Sequence, residues 1–99
     1  MNYTFRARDL NVVKAESGAS IVEVPIQILD EKGVVVSSEA VTISLAATFD
    51  KPSALKTEFV TKLKAAAEAA INKYVTSMKL REGLLSVLLG AAKEVSVNG

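Results

Sequence analysis

Over Val22–Ile28 and again over Val41–Leu45 apolar side chains recur at every second residue, and from Leu55 to Met78 they recur at every third or fourth. That switch of period constrains the fold more than any other feature of the chain. Period two places side chains alternately on the two faces of a strand. A period near 3.6 gathers them on one face of a helix. A chain that changes from the first to the second in mid-sequence is an α+β protein, with strands first and helix after.

Val22, Val24, Ile26 and Ile28 share one face of a strand over 21–29, and Glu23, Pro25 and Gln27 share the other. Proline cannot donate to a ladder, so Pro25 predicts an edge strand or a bulge. Asp30-Glu31-Lys32-Gly33 is a turn signal: polar residues between two apolar runs, closed by a glycine suited to a left-handed conformation. Val34-Val35-Val36 opens the next strand, and Val41, Ile43 and Leu45 continue it. The alternation changes phase near Ser37-Ser38, which predicts a bulge or break there. Upstream, Tyr3, Phe5 and Ala7 alternate with Asn2, Thr4, Arg6 and Arg8, and Val12-Val13 continues or restarts that strand. Glu16–Ser20 reads as a loop. The expectation is an antiparallel sheet of about three strands around a central hairpin, 21–29/34–46.

The helix is expected from about Pro52, capped by Asp50 or Ser53, with proline tolerated in the first turn. Leu55, Phe59, Leu63, Ala67, Ala70, Ile71, Tyr74 and Met78 form its apolar stripe, and Ala65–Ala70 is a run of high helix propensity. Ending near Lys79, the helix would be roughly 40 Å long and would overhang its sheet. Arg81-Glu82-Gly83 predicts a break, followed by a short C-terminal helix over Leu84–Ala92 and a short strand or tail over 95–99. The 99 residues form one domain.

Composition excludes more functions than it suggests. The chain has no His and no Cys, which removes the commonest general base, the commonest transition-metal ligand and any thiolate chemistry. Adjacent Asp30 and Glu31 sit in a tight turn, not across a cleft as a hydrolytic pair must. Ser53 and Lys56 have S-x-x-K spacing, but Ser53 reads as a helix cap. The glycines form no phosphate-binding motif, and no Asp-rich calcium loop is present. The expectation is therefore a non-enzymatic protein with no catalytic, cofactor-binding or metal site and no small-molecule ligand.

Two surfaces remain. Lys56, Lys62, Lys64 and Lys73 are candidate nucleic-acid contacts, which gives the alternative reading of a nucleic-acid-associated regulatory protein. No aromatic residues interleave with them and net charge is +1, so the bland reading of a solvated helix face is favoured. Residues 1–50 carry a net charge of −3 and residues 51–99 a net of +4, so acidic hairpins could meet basic helices head to tail. Leu84, Leu85, Leu88 and Leu89 exceed what one buried side of a short helix needs. Either the short helix folds back onto the hairpin and buries them, or, since three strands and one helix cannot cover so much apolar surface, these leucines are candidate contacts with a second copy or a larger assembly. No stretch approaches the ~20 apolar residues of a membrane span and no signal peptide is seen, so the expected location is the cytoplasm.

Asp30-Glu31-Lys32-Gly33-Val34-Val35, then Ser38-Glu39-Ala40-Val41-Thr42-Ile43, then a Lys/Ala-rich helix, resembles a layout common in small proteins of tailed bacteriophages and prophages. The resemblance covers about residues 21–75. It implies a virion or assembly component, located in the virion, and it carries over no functional residues.

Overall fold

The structure, a computed structural model, describes the backbone of residues 2–98 and the side chains of residues 2–90. Four strands precede one helix: β1 (Thr4–Ala7), β2 (Asn11–Lys14), β3 (Ser20–Leu29), β4 (Val35–Leu45) and α1 (Pro52–Asn98). All strand pairs are antiparallel. β3 is the centre of the sheet, with β4 along one side. β1 and β2 share the other side end to end, β1 opposite Ile26–Leu29 and β2 opposite Ile21–Glu23. The strand over 2–8 thus stops and restarts, and three ladder positions across hold four strands. The α+β class and the 21–29/34–46 hairpin are as the alternation predicts.

β3 is not an edge strand, contrary to the reading of Pro25. A central strand accepts proline only where no donor is needed. β1 ends opposite Ile26 and β2 begins opposite Glu23, so the ladder on that side is interrupted at Val24 and Pro25. The proline and the break explain one another.

The hairpin turn is built by Asp30. Its carboxylate accepts from the N–H groups of Lys32 and Val34, both at 2.9 Å. Gly33 adopts φ +79°, and its N–H donates to the Asp30 carbonyl at 3.0 Å. The phase change in β4 is a register shift: Ile28 pairs with Ser37 and Leu29 with Val35, leaving Val36 as the extra residue. Val36 is thereby turned against the core.

The core lies between one face of β3–β4 and α1. Val22, Val24, Ile26, Ile28, Val41, Ile43 and Leu45 come from the sheet, Ala67 and Ala70 from the helix. Leu55, Phe59, Leu63, Ala66, Ile71 and Tyr74 pack around them, as do Tyr3 and Phe5. Ala67 is fully buried because its methyl lets the helix sit close on the large β-branched side chains beneath.

The cap and the C-terminal half differ from expectation. The cap position is held by Lys51, whose carbonyl accepts from Leu55 N–H at 3.0 Å, with Pro52 first in the helix. Asp50 instead accepts from the Thr48 hydroxyl. No break occurs at Arg81-Glu82-Gly83, and no separate C-terminal helix or strand follows: α1 runs unbroken to Asn98. A glycine inside a helix costs only about 1 kcal/mol relative to alanine, and the leucines, lysines and alanines on either side are strong helix formers. The side chain of Ala92, and those of the 95–99 segment, lie outside the described residues. At 1.5 Å per residue the 47-residue helix is about 70 Å long, which matches the 70 Å long axis of the chain.

Truncating Ile26 to Ala should cost about 2–5 kcal/mol of stability by denaturant unfolding, through lost burial and the cavity left behind. Ala67→Leu should cost about 1–3 kcal/mol by forcing the helix off the sheet. A Leu at position 67 with wild-type stability would refute the close seating.

Candidate functional site

α1 holds its sheet along its first half. Glu58 accepts from the N–H groups of Ala46 at 2.8 Å and Ala47 at 2.9 Å, where β4 ends and the ladder no longer satisfies them. Lys62, one turn on, pairs with Glu58 at 2.9 Å and donates to the Ser44 carbonyl at 2.6 Å. Farther along, Lys73 reaches Glu39 of β4 at 3.5 Å, and Tyr74 packs edge-on against Tyr3 with ring centroids 5.4 Å apart. Beyond Tyr74, α1 adds nothing to the core cluster among the described residues.

The helix does not lose its apolar character there. Leu80, Leu84, Val87, Leu88 and Leu89 are between 57% and 69% exposed, and Leu85 is half-buried by its helical neighbours. Ser77, Arg81 and these residues short of Leu89 line one shallow concavity along the helix surface. At about 100° per residue Leu84, Leu85 and Leu88 fall on the side of α1 that faces the sheet farther back, with Leu89 on one flank and Leu80 and Val87 on the other. The stripe that covers β3–β4 thus continues past the end of the sheet with nothing of its own chain beneath it. Of the four leucines singled out from sequence, Leu84, Leu85 and Leu88 lie on this surface and Leu89 at its edge, while Leu80 and Val87 stand on the other flank. Those two were missed because a break at Arg81–Gly83 cut the periodicity between them.

The four candidate lysines do not form one face. Lys62 and Lys73 lie on the flank over β4, each bound to a carboxylate of the chain itself. Lys56 and Lys64 lie on the opposite flank by the same helical angle. Asp30 is taken up by its turn, and Glu31 accepts from the Asn2 N–H at 2.8 Å. A cleft of about 440 Å³ opens on the outer sheet face around Arg6, Arg8, Gln27 and Ser38. Arg6 there is held by Gln27 at 2.6 and 2.9 Å. Among the described residues no group of His, Cys, Asp or Glu is placed to hold a metal ion, and no helix is long and apolar enough to cross a membrane. No family model, curated protein or solved structure matches the chain.

Glu58 was not legible as special, although its i,i+4 spacing to Lys62 is the signal that could have found it. The Lys62 ammonium, then the N–H groups of Ala47 and Ala46, hold its carboxyl down at about 2, from an ordinary 4.5. Its folded-state value is depressed, so its contribution to stability is complete above pH 4.5 and is lost as pH falls toward 2. Glu58→Gln should destabilise the fold at neutral pH and flatten the dependence of stability on pH over that range. Equal acid sensitivity in the variant and the parent would remove Glu58 from this role.

Proposed function

We propose that this chain is a non-enzymatic interaction module that associates with further copies of itself, through the apolar surface on the projecting half of α1. The observation that carries this reading is the row of exposed aliphatic side chains from Leu80 to Leu89 on a helix segment beyond its own core. A Leu or Val side chain gains about 1.5–3 kcal/mol on full burial. Leu84, Leu88 and Leu89, which one partner helix can reach together, are 57–67% exposed, so on two copies they could gain roughly 5–11 kcal/mol if wholly covered. Association costs roughly 4–15 kcal/mol in lost freedom. The gain is of the same size as that cost, so the leucines must be largely covered for a stable pair.

The lack of His and Cys supports a role without chemistry. The engagement of Lys62 and Lys73 with Glu58 and Glu39 favours self-association over a lysine-based nucleic-acid contact. The resemblance of the hairpin and Ala-rich helix to small tailed-bacteriophage proteins adds a phage particle as the proposed setting for such an assembly.

Sedimentation and light scattering should show a species larger than 10.5 kDa at micromolar concentration. Leu85→Glu with Leu88→Glu should weaken association by more than about a hundredfold, because each carboxylate would be buried unpaired. The core beneath Ala67 and Ala70 should stay folded in that variant. A parent protein that remains monomeric at high concentration would overturn the proposal.

A further inference from the structure

We infer that the projecting half of α1 pairs antiparallel with the same segment of a second copy, about a two-fold axis passing between Ser86 and Val87. This rests on the self-association reading and adds its geometry.

The segment Gly83-Leu84-Leu85-Ser86-Val87-Leu88-Leu89-Gly90 reads the same in both directions except at its central pair. A two-fold interface is isologous, with one patch meeting itself. In an antiparallel helix pair, a residue any number of steps before the axis lies level with the residue as many steps after it. A segment that mirrors itself about one point therefore supplies matching side chains on both copies. Leu85 meets Leu88 of the second copy and Leu88 meets its Leu85, so the same contact forms twice.

Helical angle agrees. At about 100° per residue, Leu85 and Leu88 fall at the centre of the seam, with Leu84 on one flank and Leu89 on the other. The two-fold keeps like flanks together, so both copies of Leu84 line one side and both copies of Leu89 the other. Positions that usually carry charge in a helix pair are thus apolar on both sides of the axis. Gly83 and Gly90 fall on the far side of the helix, with open space around them. They add no packing and lower helix propensity, so this stretch depends on what covers its other face.

Arg81 decides the direction. It lies in line with Leu85 and Leu88 on the seam. A parallel, in-register pair would set two Arg81 side chains against each other. In the antiparallel pair they stand about 16 Å apart along the helix, beyond the ~8 Å screening length at physiological salt. Tyr74, the last residue packed against the sheet, lies about 19 Å from the axis. The two sheets therefore stand at opposite ends and leave the seam clear. The second copy takes over where the first copy's sheet stops.

Because the chain has no Cys, a single spin label can be placed at Asn72→Cys or at Thr76→Cys, both exposed. Electron–electron distance measurements on the full chain should give about 45–50 Å from position 72. Moving the label to position 76 should shorten that by about 10 Å, since each residue toward the axis closes the gap from both sides. A dimer whose distances are short and equal at the two positions would overturn the antiparallel register while leaving self-association intact. Growth in mass without limit, as head-to-tail contact of acidic hairpin and basic helix would give, would overturn the closed two-fold. A strict monomer would overturn both this inference and the reading it rests on.

Discussion

The close seating of α1 on the inner face of β3 and β4 governs the rest of the molecule. Ala67 and Ala70 are the helix residues at the bottom of that contact, and beneath them lie Val24, Ile26, Ile28 and Ile43, each almost wholly removed from water. The apolar part of that sheet face is almost entirely Val and Ile, whose branched side chains make it bulky and rigid. A helix presenting large residues along its whole stripe would be held away from it. The alanine run gives the helix a narrow waist there, while Leu55, Phe59, Leu63, Ile71 and Tyr74 fill the volume around it.

Once that contact is made, the direction of α1 is fixed, and the ends of β4 can be tied to it. Glu58 satisfies two N–H groups just past the strand and Lys62 a carbonyl just within it, groups that would otherwise depend on water. Those bonds lock the start of the helix. Its far end is then a lever. A sheet whose longest strand has 11 residues cannot cover a 47-residue helix, so the second half must project. The apolar stripe does not end with the sheet, and the surplus hydrophobic surface is a consequence of helix length as much as of composition.

That consequence shapes the proposed function. The outer sheet face holds Arg6 against Gln27, and the lysines are split between two flanks with Lys62 and Lys73 already engaged. The projecting leucines touch nothing of the core. Among the described residues five large apolar side chains there stand 57–69% exposed, and the near-palindromic sequence suits a partner of identical sequence.

The amino-acid sequence by itself determined the class of the fold, the hairpin, the Asp30–Gly33 turn and the core stripe from Leu55 as far as Tyr74, although the same periodicity ran on to Met78, which does not join the core. These follow from side-chain period and turn chemistry, which are local. It also marked Leu84, Leu85, Leu88 and Leu89 as surplus. Only the tertiary structure decided that Pro25 lies in the central strand, because the break between β1 and β2 that accommodates it is a pairing between distant segments. Only it showed that Glu58 serves the end of β4, since the bonded N–H groups lie 11 and 12 residues away. Gly83 is the clearest contrast. Its sequence context suggests a break, yet a glycine costs a helix about 1 kcal/mol, and the strong helix formers around it outweigh that. The helix therefore continues, and with it the apolar stripe that a single copy leaves uncovered.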